Sequence, residues 1–455
     1  MSALCTLFIV YHFALKQNTQ AVFSSRLGVV FLIASACGLA ASLVIIQQFR
    51  KIGASGSNVH FLTLGMNIAS VVLCLLVGEA TVRLLSVQTP TGLVVGKTTL
   101  RPRIWKDESR RFKEKLAMPA ATLPFKDVDD RLKVFDDRLG WAYYSNRRSD
   151  KGLYCTKELG NRGSCADGTS SNRVDKYHVA LVGDSFTFGQ EVPYEESWGG
   201  RLEESLKPDV RVLNFGVTGY SVAQAFLRYE RDVRPAHPDV VILGVINDDF
   251  LRTRRIYYLI PNWREPMVHP RFIVKNGKLE LLNVPLPSPN EIVAYSSIRD
   301  LPFIEYDSGY DPVEWDLPYW TPFHYSVLFR FVTSWYALWE TKETTHSNNE
   351  MFAINAEIVR AFVRLAESEG SIPLVMFLPS YEDLDRKRHD FAGYIPLGIR
   401  VLEASEVKYF DARPCFQKVE FGDYFEPGRH YSSQGNAAIS ECLTGVIRGF
   451  LPGGR

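Results

Sequence analysis

The chain has 455 residues, enough for two or three domains, and its 46% hydrophobic content suits large folded cores. Its formal net charge of +1, from 52 basic and 51 acidic side chains, gives no electrostatic reason to expect a nucleic acid partner. That average hides an asymmetry, because the amino-terminal region is far more apolar than the rest.

Residues 27–46 read LGVVFLIASACGLAASLVII, without a charge. That is about the 20 residues that a helix needs to cross a bilayer core. Residues 61–82 form a second span, opening with FLTLGMNIASVVLCLLV. Segment 2–15 is apolar but shorter, and reads as a short span, an interfacial helix or a signal-like start. Residues 1–88 are therefore expected to be a membrane anchor of two or three helices. Arg50 and Lys51 lie between the two long spans. The excess of positive charge in cytoplasmic loops puts that loop inside and sends the rest of the chain to the periplasmic or extracellular side, although Lys16 and Arg26 pull the other way.

Residues 89–135 are a mixed, basic-rich juxtamembrane linker. The folded domain is expected over 136–455, where strand and helix patterns alternate. Strand HVALVG (178–183) precedes a helix near 195–207, strand VRVLNF (210–215) precedes a helix near 221–231, and strand DVVILGV (239–245) ends at Ile246-Asn247-Asp248-Asp249. Residues 251–349 break the rhythm with many Tyr, Trp, Phe and Pro residues, and read as an insert. The alternation resumes with helix 351–369, strand IPLVMFL (372–378), a helix near 394–404, strand VKYFDA (407–412) and a last helix over 433–450. Spacings of roughly thirty residues between the early strands fit right-handed βαβ crossovers in a parallel sheet.

Four cysteines lie in this polar part: Cys155, Cys165, Cys415 and Cys442. Their even count is compatible with disulfides 155–165 and 415–442 in an oxidising compartment, and also with four buried thiols. No CxxC and no Cys/His spacing for zinc is present. Asp248 and Asp249 form a carboxylate pair, but lack a third ligand at suitable spacing. No metal or organic cofactor is expected.

The chemistry gathers at strand ends. Ser185, in Gly183-Asp184-Ser185-Phe186, follows the first strand of the alternation; a serine on such a turn presents its hydroxyl at the carboxyl edge of the sheet. Asp184 suits a structural role in bonding turn amides. Gly216 follows the second strand and Asn247 the third. The backbone N–H groups of Ser185 and Gly216 and the Asn247 amide could supply the donors that an oxyanion requires. A base near neutral pH is needed as well, and His430, just before the last helix, is the candidate. His237 precedes a strand and so lies at the wrong edge.

Four blocks, GDSFTFG (183–189), NFGVTGYS (214–221), GVIND (244–248) and RHYSSQGN (429–436), resemble in order those of the SGNH (GDSL-type) hydrolase superfamily. The resemblance spans about 250 residues and implies a flavodoxin-like three-layer α/β/α sandwich, with Ser185 as nucleophile, Gly216 and Asn247 as oxyanion donors and His430 as base. Membrane-anchored bacterial members have this layout. The family usually carries an aspartate three residues before the histidine, where this chain has Pro427. Glu426 is the expected substitute, with Asp423 or a backbone carbonyl as alternatives. The function expected is a membrane-anchored serine esterase that hydrolyses O-acyl, especially O-acetyl, esters on a small molecule, carbohydrate or cell-envelope polymer. Acyl transfer to an envelope polysaccharide, with a membrane-protein partner, and glycan binding by a degenerate site are the competing readings.

Overall fold

In a computed structural model of the chain, residues 57–89, 92–96, 98–100, 103–117, 132–166, 175–258, 267–310, 315, 325–335, 345–388, 393–416 and 421–451 are described. The expected spans 2–15 and 27–46 lie outside them. The chain divides into two compact units, residues 1–108 with 311–341, and residues 109–310 with 342–455.

In the first unit, the apolar run at 61–82 falls within helix α1 (Ser57–Leu85). Its 29 residues make it roughly 43 Å long, and its window Ile68–Leu85 is long and apolar enough to cross a membrane. Ile68, Val71, Leu73, Leu75 and Leu76 are exposed on it. A three-stranded antiparallel meander follows: β1 (Ser86–Thr89), β2 (Gly92–Val95) and β3 (Thr98–Thr99). Part of the expected insert belongs to this unit. The Glu79 carboxylate on α1 accepts the Val327 and Leu328 N–H groups and the Ser326 hydroxyl, capping the helix Val327–Trp335. Val82, Val95, Leu100, Val327 and Phe331 form the small core between them.

The second unit contains the antiparallel pair β4 (Lys133–Asp136) and β5 (Gly140–Tyr143). Then follow β6 (Cys155–Thr156), β7 (Arg162–Gly163), β8 (Tyr177–Gly183), helix α2 (Ser185–Phe188), helix α3 (Trp198–Leu206), β9 (Val210–Asn214), helix α4 (Val222–Arg228), β10 (Val240–Val245) and helix α5 (Asn247–Arg252). The hairpin β11 (Phe272–Lys275) and β12 (Lys278–Leu281) lies in the insert, and helix α6 (Thr345–Ser368), β13 (Ile372–Phe377), helix α7 (Leu397–Ser405), β14 (Tyr409–Asp411) and helix α8 (Ser433–Phe450) complete the unit.

The main sheet has the order β14-β13-β10-β8-β9-β7-β6. The five strands from β14 to β9 are parallel, and β7 and β6 extend the edge antiparallel. Side chains alternate across this sheet with period two. Val179 and Leu181 join Val240 and Ile242 in the core beneath α3 and α8; Ala180 and Val182 join Val241 and Leu243 in the opposite core, with residues of α4, α6 and α7. Helices on both faces of a parallel sheet make the three-layer α/β/α sandwich that the sequence blocks imply. Both cysteine pairs are disulfide-bonded, 155–165 and 415–442.

Candidate active site

The turn after β8 is built around Gly183 and Asp184. Gly183 has φ +155°, and a Cβ there would lie 2.3 Å from Thr187 Oγ1 and 2.4 Å from the Gly244 carbonyl oxygen. Only glycine lets the strand leave the sheet so close to β10. The buried Asp184 then caps α2, accepting the Phe186 N–H at 2.9 Å. Ser185 is the first residue of that helix, 6% exposed. Helix α2 ends after four residues at Gly189, which adopts φ +75° and donates to the Ser185 carbonyl.

His430 comes to the same point from the other end of the chain. Its loop is tied to the serine turn through Asn436, whose Oδ1 accepts the Trp198 N–H at 2.9 Å and whose amide donates to Tyr431 and Ser432. Trp198 Nε1 in turn donates to the Phe186 carbonyl at 3.0 Å. The imidazole packs on Phe186, with ring centroids 5.1 Å apart. Across this junction His430 Nε2 lies 2.9 Å from Ser185 Oγ.

The acid behind the histidine is not the one expected. Glu191 Oε2 lies 2.9 Å from His430 Nδ1, and the same carboxylate accepts the backbone N–H groups of His430 at 3.2 Å and Gly428 at 3.1 Å. A carboxylate only accepts, so the proton must sit on Nδ1, leaving Nε2 as acceptor for the Ser185 hydroxyl. The hydrogen bond from His430 holds the Glu191 carboxyl below the usual carboxylate range, with the backbone donors adding to it against partial burial.

Glu426 instead closes the turn with its backbone. Its N–H donates to the His430 carbonyl at 2.8 Å, and its own carbonyl accepts the Arg429 N–H at 2.8 Å. A residue paired with His430 across a tight turn is committed to that backbone geometry, while the Gly428 and His430 amides are taken by Glu191. Asp423 is exposed, and its carbonyl accepts the Ser432 hydroxyl.

The two expected oxyanion donors also have partners. Asn214 Oδ1 takes the Gly216 N–H at 2.9 Å, while Asn214 Nδ2 donates to the Thr187 carbonyl at 2.8 Å. Gly216 is required for contact: a Cβ would meet the Phe188 nitrogen at 2.4 Å and the Thr187 carbonyl carbon at 2.8 Å. Asn247 Nδ2 donates to Asp383 Oδ1 at 2.7 Å and its Oδ1 accepts the Gly398 N–H at 2.7 Å. Its amide is thereby fixed in orientation, with one N–H spent on Asp383. The Ser185 N–H, at the first position of α2, has no acceptor within its helix.

Asp249 is buried against Arg252. Arg252 Nη1 donates to it at 2.8 Å and reaches Asp184 at 3.6 Å, while burial pushes the Asp249 carboxyl well up. Among the described residues no group of three His, Cys, Asp or Glu side chains could hold a metal ion.

Residues 179–266, which carry β8 to α5 and the serine turn, match the family described as GDSL-like Lipase/Acylhydrolase. Over these residues the chain carries a GDSL-like lipase/acylhydrolase domain, that of a serine hydrolase. Among solved structures the hydrolase is similar to a member of the lipolytic protein G-D-S-L family from Veillonella parvula, at 14% identity and TM-score 0.30, covering 59% of this chain and 97% of that one. It is likewise similar to an acetylxylan esterase from Geobacillus stearothermophilus, at 15% identity and TM-score 0.30, covering 59% of this chain and 93% of the other. No match among curated proteins was found.

Glu191, Asn214 and Asp383 were not identified from the sequence. Only Glu191 had a signal, as a carboxylate six residues after the serine and just past the glycine that ends α2.

Proposed function

We propose that the hydrolase is a membrane-anchored serine esterase with a Ser185–His430–Glu191 relay, acting on O-acyl esters outside the cytoplasmic membrane. The observation that carries this reading is the pair of 2.9 Å contacts through His430, from Ser185 Oγ to Nε2 and from Nδ1 to Glu191. Such an ordered relay performs acyl transfer in two halves. Ser185 Oγ attacks the ester carbonyl carbon as its proton passes to His430 Nε2, and the imidazolium is stabilised by the Glu191 carboxylate. His430 then returns that proton to the departing alkoxide, the C–O bond breaks, and an acyl-Ser185 ester remains. Water attacks it, giving a proton to Nε2, and the acid leaves as the proton returns to Oγ.

The oxyanion falls to the Ser185 N–H and the second Asn247 amide hydrogen; Gly216 contributes only by sharing its N–H with Asn214. Helix α1 supports the membrane location, and two disulfides support an oxidising side. An O-acetyl group on a carbohydrate or envelope polymer is the substrate class that the family resemblance suggests. The intact relay favours an enzyme over a degenerate binding protein. The full chain in detergent should release p-nitrophenol from p-nitrophenyl acetate, and Ser185→Ala should not. Equal turnover by that variant would remove the nucleophile assignment. An acetylated oligosaccharide panel, read as released acetate against acetyl transferred to added glycan, separates hydrolysis from transfer.

A further inference from the structure

Glu191 reaches His430 from an unfavourable backbone conformation. Its φ is +75°, the left-handed region that a residue with a Cβ seldom occupies. Such a conformation persists only where the surroundings over-determine it, and here they come from the β6–β7 hairpin that extends the edge of the sheet.

Arg162, on β7, is 1% exposed. Its Nη1 donates to the Phe188 carbonyl at 2.5 Å and to the Gly189 carbonyl, and its Nη2 donates to the Val192 carbonyl at 2.5 Å. One planar guanidinium thus grips the loop on both sides of Glu191, which a compact ammonium could not do with the same directions. It lies against both Phe188 and Tyr154, 4.4 Å and 4.9 Å from the ring centroids, and those rings pack edge-on with centroids 5.2 Å apart. The Tyr154 hydroxyl accepts the Glu191 N–H itself at 2.9 Å. Tyr154 directly precedes Cys155, and the Cys155–Cys165 disulfide closes the hairpin that carries both clamp residues.

We propose that Arg162 and Tyr154 are positioning residues for the esterase reaction, holding the 188–192 loop in the conformation that brings the Glu191 carboxylate to His430 Nδ1. Neither touches the reacting atoms; both act through Glu191. The proposal rests on the relay assigned above and deepens it, by making the disulfide-closed hairpin part of the active site's support.

The test is a set of double-mutant cycles on the full chain in detergent, with kcat and KM measured on p-nitrophenyl acetate and Tm recorded for every variant. Tyr154→Phe removes only the hydroxyl and leaves the ring on Phe188; it should lower kcat roughly 5-fold with KM unchanged, as for one lost hydrogen bond. Arg162→Met releases the whole loop and should lower kcat roughly 10²-fold, the usual effect of a displacement near 1 Å. In a Glu191→Gln background neither substitution should lower kcat further, because the group that they position no longer acts. The clamp is refuted if each substitution costs the same factor in both backgrounds, or if Tyr154→Phe keeps wild-type kcat. Should Arg162→Met fail to fold, Tyr154→Phe decides alone. A Glu191→Gln enzyme with wild-type kcat would instead refute the relay, and the clamp with it, so the two failures read differently.

Discussion

Replacing Glu191 by glutamine keeps the size of the side chain and removes its charge. The native carboxylate accepts three N–H groups, from His430 Nδ1, His430 N and Gly428 N. An amide has one acceptor oxygen and a donor NH₂, so it cannot take all three. If its oxygen stays with the Gly428 amide, its NH₂ takes the place of Oε2 beside His430 N and Nδ1, and the imidazole is driven to the tautomer with a proton on Nε2. That proton then points at Ser185 Oγ, 2.9 Å away, and the base can no longer accept. Loss of the correct tautomer together with the stabilising charge should lower kcat roughly 10²–10⁴-fold. This corresponds to about 2.7–5.4 kcal/mol of transition-state stabilisation. KM for p-nitrophenyl acetate should stay within about two-fold, since the carboxylate does not face the substrate in this account. Steady-state kinetics of the full chain in detergent, with Tm alongside, decide the matter. A kcat within about three-fold of wild type, in a folded variant, would refute the reasoning that Glu191 orients His430.

Glu426→Gln and Asp423→Asn should each leave kcat within about three-fold of wild type, since these residues serve their turns through the backbone. Glu191 also gives a pH signature. Its folded pKa is depressed below the ordinary 4.5, so its stabilising contribution is present above that value and lost as pH falls through the lower folded pKa. The Tm gap between wild type and Glu191→Gln should therefore be full at neutral pH and close on acidification; a gap that widened toward acid would contradict this sign. Removing the Cys415–Cys442 disulfide, which spans 27 residues, should cost about 3.6 kcal/mol of stability by loop-closure entropy, measured by urea unfolding of the double Cys→Ala chain.

The sandwich was readable because its strands are continuous apolar runs of the right length. Val179–Val182, Val240–Val245 and Leu374–Phe377 are buried from both faces, and such runs have one place to go in an α/β protein. Ser185 and His430 were legible for a related reason, since each sits at an element boundary with its capping residues beside it. The hairpin β6–β7 was not, because two-residue strands carry no alternation to read. Glu191 lies 239 residues from His430 and has a backbone conformation that no local propensity assigns to glutamate. The expectation at Glu426 came from sequence proximity, and space supplied a nearer carboxylate. Gly216 and Asn247 were read by residue type, while their hydrogen bonds depend on Asn214, Asp383 and Gly398, which only the packed fold brings near. The grouping of residues 325–335 with α1 was equally hidden, since it depends on long-range contacts, the Glu79 carboxylate at the cap and the core of Val82, Val327 and Phe331, that no local pattern shows.

The central claim is that Ser185 is the residue acylated during turnover. Treating the full chain with a fluorophosphonate ester and mapping the adduct by peptide mass spectrometry tests it most directly. The account predicts one modified site, at Ser185, with labelling abolished in Ser185→Ala and strongly slowed in His430→Ala. An unlabelled Ser185 in protein that still hydrolyses ester, or a label on another residue, would contradict it.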